Sequence, residues 1–268
     1  MTRTSFVTED ILITVKTCPN PSTKYVESSC TAGFTRDREW LRLYPLPFRM
    51  LDGEQKFKKY QWIRARIKKA TDDTRPESHK IDCDSIQLLH ESLSPARNWA
   101  QRQSFLEPVR RRSMEEIWHE QELDNISLGF FQPKRIERLI IEPASPHWTK
   151  KQLACLQQQN FMLQDDLKSL EKIPYDFKYR YWCDDPACNG HTQKIVDWEI
   201  YQSYRNWRER YGSGDWQEKL GERYELEMQN KNDTHFFVGT MRAHPKSWIV
   251  IGLFYPLKTQ ARQNAFNF

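Results

Sequence analysis

Alternating apolar and polar residues predict short strands in both halves of the chain. The segment from Trp40 to Phe48 alternates rings and aliphatic side chains, and its prolines end it. The other runs of this kind are residues 11–17, 25–34, 61–69, 133–143, 177–183, 236–239 and 248–256. Because the side chains of a strand point alternately to opposite faces, these runs predict sheets with one face packed inside. The polar stretch 72–84 predicts a loop, and residues 244–247 predict a hairpin turn.

Two capping boxes predict where helices begin. They are Ser113-Met-Glu-Glu116 and Thr149-Lys-Lys-Gln152. Leucines at roughly helical spacing follow the second box, at positions 153, 156, 163, 167 and 170. A further helix is expected directly after His191, where Trp198, Tyr201 and Trp207 fit one helix. The prediction is a mainly β fold with α insertions (α+β), divided near the Pro/Ser-rich stretch that ends at Pro146 into modules 1–145 and 146–268.

Composition narrows the classes of protein. The 268 residues are 38% hydrophobic and 13% aromatic, with a mean hydropathy of −0.84. Large rings therefore carry much of the expected burial. The sequence has no glycine-rich phosphate loop, which removes most of the support for ATP-driven or nicotinamide chemistry. The N-terminus lacks the apolar run of a signal peptide, and no stretch is apolar enough for a membrane span. We therefore expect a cytoplasmic protein with no membrane contact and with reduced cysteines.

The segment Cys183-Asp-Asp-Pro-Ala-Cys-Asn-Gly-His191 gathers two thiols and an imidazole within nine residues. A short loop with Pro and Gly lets such side chains converge on one ion. Cys183, Cys188 and His191 are therefore predicted to bind structural zinc. The fourth ligand is left open among His235, His244, Asp184 and Asp185. The alternative is a polar turn with two ordinary half-buried thiols and a surface histidine.

Positive charge concentrates in residues 40–69. This window holds nine cations and two acids, a balance of 9 − 2 = +7, while the whole chain carries +5. Aromatic residues alternate with these cations. Cations that follow a phosphate backbone, beside rings on which bases stack, are typical of single-strand nucleic-acid grooves. The predicted contact residues are Trp40, Arg42, Tyr44, Arg49, Lys58, Lys59, Trp62, Arg64, Arg66 and Lys68. The alternative is that the rings belong to the core and the lysines are only solvated.

Asp197 and Glu199 are the residues that an enzymatic interpretation would use. They flank Trp198 just after the metal-type loop, so they offer carboxylates to a metal-dependent nuclease. The usual following lysine of nuclease patterns is absent, and an N-cap is the better use of Asp197. The loop also lacks the His-x-Glu and Pro-Cys-x2-Cys pattern of deaminases.

Three stretches carry a resemblance to a known family. They are residues 40–49, the segment from Tyr179 through His191 with Asp197-Trp-Glu199, and residues 233–256. Together they resemble a poorly characterised bacterial family described as containing a dual OB domain, and the resemblance spans most of the chain. It implies two OB-like small β-barrels, which bind oligonucleotides on the face of strands 2 and 3. That expectation agrees with the cationic strand 61–69. The family setting also suggests conflict systems such as phage defence.

The sequence therefore predicts a nucleic-acid-binding accessory protein, for single-stranded DNA or RNA, in a bacterial defence or nucleic-acid-processing complex with other proteins. Two alternatives remain open. One is a metal-dependent nuclease built on the Cys183/Cys188/His191 region, and the other is a protein-interaction adaptor that does not bind nucleic acid.

Overall fold

The strands of the first half form one six-stranded sheet. The computed structural model describes residues 5–22, 26–157 and 170–258. The strands are β1 (Val7–Lys16), β2 (Asn20–Ser22), β3 (Val26–Phe34), β4 (Trp40–Leu46), β5 (Gln61–Lys69) and β6 (Ser78–Ser92). Their order is β1-β5-β6-β4-β3-β2, and β1 also pairs with β3. The five long strands thus form a closed ring of hydrogen bonds, in which only the β4–β6 pair is parallel.

The second half contributes a second six-stranded sheet. Its strands are β7 (Leu128–Phe131), β8 (Arg135–Pro143), β9 (Tyr175–Trp182), β10 (His191–Ile195), β11 (His235–Met241) and β12 (His244–Phe254), in the order β7-β11-β12-β10-β9-β8. The described helices are α1 (Ala96–Leu106), α2 (Met114–Asp124), α3 (Lys150–Gln157), α4 (Trp198–Gly221) and α5 (Met228–Asn230), with a π-helical turn over Glu222–Glu227. No helix in these ranges has the length and apolar character that crossing a membrane requires.

The two sheets share a buried apolar contact. The interior of the ring is aliphatic, with Ile11, Leu43 and Ile63 among its fully buried residues. A separate cluster joins the outer side of the ring to the second sheet. Its members from the two halves include Phe34 and Phe237, both fully buried. The outer side of β3 and β4 therefore faces the second half of the chain rather than solvent.

Local patterns in the sequence predicted several elements well. The strand predicted over 61–69 is β5, with Ile63, Ala65 and Ile67 buried on its inner face. Both predicted helix starts are confirmed, but in the first box the Glu116 carboxylate accepts from the main-chain nitrogen of Arg112 rather than from that of Ser113. Ser113 Oγ accepts a hydrogen bond from the main-chain nitrogen of Glu116 at 3.1 Å. In the second box, Gln152 Oε1 accepts from the main-chain nitrogen of Thr149, and Thr149 Oγ1 accepts from that of Gln152. Leu163 and Leu167 lie outside the described residues.

Three local predictions were wrong. Residues 78–84 belong to β6 rather than to a loop, because their main chain completes the ring between β4 and β5. The helix after the metal-type loop does not follow directly, since β10 intervenes before α4 begins at Trp198. The hairpin turn lies at residues 242–243, and the predicted turn 244–247 starts β12, because Met241 pairs with His244.

The fold is mainly β with a few helices, as expected, and its strands divide between two sheets. The sequence-based boundary between residues 145 and 146 stays a prediction. β7 and β8 lie before that position and pair within the second sheet.

Candidate metal centre and cationic surface

The metal-type loop connects two adjacent strands of the second sheet. β9 ends at Trp182, directly before Cys183, and β10 begins at His191. Inward-facing rings at Phe177, Tyr179 and Tyr181 fix β9 against the core, as the alternation predicted. Gly190 has a φ of 77°, a left-handed conformation that favours glycine, and a Cβ there would lie 2.7 Å from the Arg180 guanidinium. The loop therefore delivers its two cysteines and His191 from a fixed frame.

The structure brings Glu115 to the three predicted ligands. Glu115 lies in the first turn of α2. One ligand atom from each of Glu115, Cys183, Cys188 and His191 can be chosen so that all lie within 4.8 Å of one another. We call these four residues the metal cluster. His191 Nε2 lies 2.8 Å from Glu115 Oε1 and 3.3 Å from Cys188 Sγ. The cluster can hold a metal ion.

Main-chain amides point at both sulfur atoms. Cys188 Sγ accepts hydrogen bonds from the main-chain nitrogens of Cys183 (3.1 Å) and Gly190 (3.4 Å). Cys183 Sγ accepts one from that of Met114 (3.4 Å). Burial raises the pKa of the Cys183 thiol well above its ordinary value. A bound cation together with these amides is the arrangement that stabilises the thiolate.

None of the four residues that the sequence offered as fourth ligand belongs to this cluster. His235 is buried, stacks on Phe130 and donates from Nδ1 to the main-chain oxygen of Asp233 at 3.0 Å. His244 is exposed at the start of β12. Asp184 pairs with Lys134, and Asp185 accepts from Arg112 and Ser113. The two aspartates therefore connect the loop to neighbouring segments and are not directed at the cluster.

Asp197 and Glu199 bind Lys59 where the two halves of the chain meet. We call these three residues the joint. Lys59 Nζ is 3.0 Å from Asp197 Oδ2 and 3.1 Å from Glu199 Oε1. Asp197 is the N-cap of α4, as expected, and also accepts from the main-chain nitrogen of Leu253. Burial alone lowers the pKa of Lys59, but the two carboxylates outweigh it and raise that pKa well above its ordinary value. Lys59 is therefore charged, and its ion pairs connect the two halves.

Several predicted nucleic-acid contacts are also internal. Arg42 is buried and donates from Nη2 to the main-chain oxygen of Ser127 at 2.7 Å. Trp40 packs against Phe34 and Phe237 across the shared core. Because these side chains connect the halves, they are not available to a ligand in this arrangement.

The remaining predicted contacts lie nearer the surface. Arg49 forms an ion pair with Glu27 at 2.9 Å. Tyr44 is exposed, and its hydroxyl accepts from Ser28 at 3.4 Å. Lys58 is also exposed. The other four predicted residues, Trp62, Arg64, Arg66 and Lys68, share the outer face of β5.

Arg64, Arg66 and Lys68 form what we call the cationic row. Arg64 and Arg66 have half or more of their side chains exposed, at 50% and 57%. Arg64 pairs with Asp10, Arg66 pairs with Asp82, and the Lys68 ammonium lies over the Phe6 ring. Both arginines keep half or more of their side chains in solvent, so a phosphate can compete with the aspartates for them.

An open groove adjoins the Trp62 end of the row. Its volume is about 640 Å³, and Arg38, Trp62 and Phe105 are among its lining residues. Trp62 itself is only 4% exposed, because the Arg36 guanidinium stacks on it at 3.9 Å and Phe105 packs at its edge. The groove thus combines one cation, Arg38, and one acid, Glu91, with aromatic walls.

Glu115 is the member of the metal cluster that sequence reasoning missed. It stands 68 residues before Cys183, so no local spacing connects the two. The capping box placed it in the first turn of a helix, but only the packing of α2 against the loop brings it to the cysteines.

These features define a two-domain, mainly β protein with a candidate metal centre in its second half. A family model described as a domain of unknown function (DUF8757) matches residues 110–267, and a second one (DUF8758) matches residues 7–108. The chain belongs to the DUF8757 family. No curated protein matches it.

Proposed function

We propose that this protein binds single-stranded nucleic acid through the outer face of the first sheet. The cationic row carries the proposal. Three cations alternate along one strand on a solvent-facing surface, and the same face ends at a groove with aromatic walls. The neighbouring strand β6 adds Lys80 opposite Lys68, and the turn between β3 and β4 adds Arg36 beside Trp62. The acids on this face, Asp10, Asp82 and Glu91, form weak exposed pairs that phosphates can replace.

We also propose that the first half is an OB-type barrel. Following the ring from β1 gives the first, second, third, fifth and fourth of the long strands, with the third and fifth parallel. This order supports the five-stranded Greek-key barrel of OB folds. The cationic row then lies on the fourth long strand, not on the second and third, which were expected to carry it. Those two strands pack against the second half, so the contact surface proposed here differs from the usual OB face.

Zinc is the ion that we propose for the metal cluster. Two thiolates and an imidazole are borderline-soft donors, which suit zinc better than magnesium or calcium. Its proposed role is structural. The nuclease alternative has less support, because Asp197 and Glu199 bind Lys59 and neither belongs to the metal cluster.

The test is fluorescence anisotropy of labelled single-stranded DNA, single-stranded RNA and duplex DNA across a salt series. The variant Arg64→Gln/Arg66→Gln/Lys68→Gln should bind single strands more weakly. Each lost phosphate contact removes about 0.7 from the slope of log affinity against log salt, so the slope should fall by about 2.

A matched control removes the same charge from the second sheet, with Arg135→Gln/Arg138→Gln/Lys194→Gln. This variant should keep the wild-type slope. Equal losses in both variants would indicate a general charge effect rather than a site on β5. No binding of wild-type protein to any of the three probes at low salt would discard the proposal and favour the adaptor.

A further inference from the structure

We infer that Glu115 is the fourth ligand of the metal cluster, which makes it a closed site that joins the first turn of α2 to the β9–β10 loop. The competing arrangement is an open site with three protein ligands and an exchangeable water, as catalytic zinc sites have. The inference rests on the metal proposed above and is independent of nucleic-acid binding.

Glu115 approaches the same nitrogen of His191 that Cys188 approaches. A carboxylate that only orients a metal-bound histidine bonds the ring nitrogen opposite the metal. Here Glu115 Oε1 and Cys188 Sγ both approach the same atom, His191 Nε2. One ring nitrogen cannot give a separate hydrogen bond of good geometry to both. Glu115 therefore lies on the ligand side of the ring, where a shared cation would sit.

The second carboxylate oxygen of Glu115 also favours a bound cation. Glu115 Oε2 is buried and has no hydrogen-bond partner among the described residues. The whole side chain is only 14% exposed. A buried carboxylate oxygen without a partner is costly, and a cation beside the carboxylate offsets that cost. The first turn of a helix also favours negative charge.

The distances between the ligand atoms of the cluster also suit a zinc ion. Ligand bonds of about 2.0 Å to N or O and 2.3 Å to S give ligand separations of about 3.3–3.8 Å in a tetrahedron. The observed separations of 2.8 and 3.3 Å at His191 Nε2, and the 4.8 Å upper bound for the set, bracket this range. Shifts of half an ångström to one ångström, within the reach of side-chain torsions, convert the cluster into a tetrahedral site.

Contacts outside the cluster hold α2 in the required position. Asp185 Oδ2 accepts from Arg112 at 2.9 Å and from Ser113 Oγ at 3.1 Å, directly before α2 begins. Met114 donates its main-chain N–H to Cys183 Sγ. The three residues that precede Glu115 thus fix the start of the helix to the loop and hold the carboxylate beside the other three ligands.

The deciding experiment uses metal-free wild-type protein loaded with Co²⁺, whose visible spectrum reports the ligand set. A closed site gives a tetrahedral spectrum with thiolate charge-transfer bands, and added azide leaves it unchanged. In Glu115→Ala the opened position admits azide, and the spectrum shifts. An azide-sensitive wild-type spectrum overturns the assignment of Glu115. No uptake of Co²⁺ or Zn²⁺ by the wild type overturns the metal proposal as well.

A zinc competition titration gives a second readout. Changing even an outer-shell partner of a metal site costs about 10–100-fold in affinity, so Glu115→Gln should lose at least about tenfold. Glu122→Gln removes the same charge from an exposed position on the same helix and should keep wild-type affinity. Equal affinities in the two variants would contradict ligation by Glu115. Circular dichroism of both variants checks that they are folded.

Discussion

Lys59 and Arg64 lie five residues apart in the same cationic window and have opposite environments. Lys59 is 10% exposed and touches two carboxylates from the second half, Asp197 and Glu199. Arg64 is half exposed and touches Asp10 on the neighbouring strand. The cluster of charge that looked uniform in the sequence therefore divides into a buried joint and a surface row. The row can meet a ligand without separating the two halves, whereas Lys59 cannot.

The difference shows what decides the role of a charge. Alternation along β5 directs Arg64 outward, which a local pattern can reveal. Lys59 precedes the strand, and its partners are about 140 residues away in sequence. A buried ion pair leaves an unpaired charge inside the protein if one partner is removed, whereas an exposed pair returns its partners to water. Substitutions at the two places should therefore have very different effects on stability.

Lys59→Met is expected to have the largest effect. Without the ammonium, Asp197 keeps its buried carboxylate with one neutralising partner fewer, and Glu199 loses its closest cation. Breaking a buried pair costs about 3–5 kcal/mol, and chemical denaturation should show a fall of this size in the free energy of unfolding. The matched control is Lys58→Met at the exposed neighbouring position, with an expected change within about 0.5 kcal/mol. Equal denaturation midpoints for the two variants would show that the ion pairs of Lys59 stabilise the fold no more than an exposed lysine does.

Removal of the zinc proposed for the metal cluster is expected to have the next largest effect. A ligand that binds only the folded state stabilises it by about 2.7 kcal/mol when its concentration is 100 times its Kd. Chelation should therefore lower the free energy of unfolding of the wild type by about that amount, as measured by denaturation with and without zinc. Cys183→Ser removes one ligand and is the control. Its stability should already be low and should respond little to the chelator; an undiminished response would place the stabilising metal elsewhere.

Local signals and long-range packing account for the successes and failures of the sequence analysis. Alternation identified β5 and β9, and capping boxes located the starts of α2 and α3, because neighbouring residues determine these features. Cys183, Cys188 and His191 were found for the same reason. Glu115, and the burial of Arg42, depend on contacts between segments far apart in sequence. No spacing rule contains that information. The packing of α2 against the β9–β10 loop places Glu115, and the contact between the two halves buries Arg42.

Lys16 is intermediate in burial between Lys59 and Arg64, and it interacts electrostatically with the residues of the joint. Burial lowers its pKa to about 8, Lys59 adds to the shift, and Glu199 and Asp197 oppose it. Below about pH 8 the lysine is charged in both states, and the folded state bears the cost of burying the charge. Between about pH 8 and its ordinary value of 10.5, the unfolded state binds more protons. This group's contribution to stability therefore rises with pH in that window.

Lys16→Met should remove this pH dependence. The variant should be more stable than the wild type at pH 7, by on the order of 1 kcal/mol after solvent screening. The difference should shrink as the pH approaches 10, since the wild-type lysine is then neutral when folded. Denaturation of both proteins at pH 7 and pH 10 measures it. A difference that stays constant with pH would show that Lys16 keeps an ordinary pKa, and that the joint is more hydrated than its geometry indicates.

The smallest effect on stability is expected for the cationic row itself. The pairs of Arg64 with Asp10 and of Arg66 with Asp82 are exposed, so Arg64→Gln/Arg66→Gln/Lys68→Gln should change the free energy of unfolding by no more than about 1 kcal/mol, although it removes three charges. Lys59→Met removes only one charge and should cost several times more. If the triple variant instead loses as much stability as Lys59→Met, the row stabilises the barrel. A weaker affinity for nucleic acid in that variant would then reflect unfolding rather than the loss of a binding site. If its denaturation curve overlays the wild type while its salt slope falls, the charge of the row serves a ligand rather than the fold.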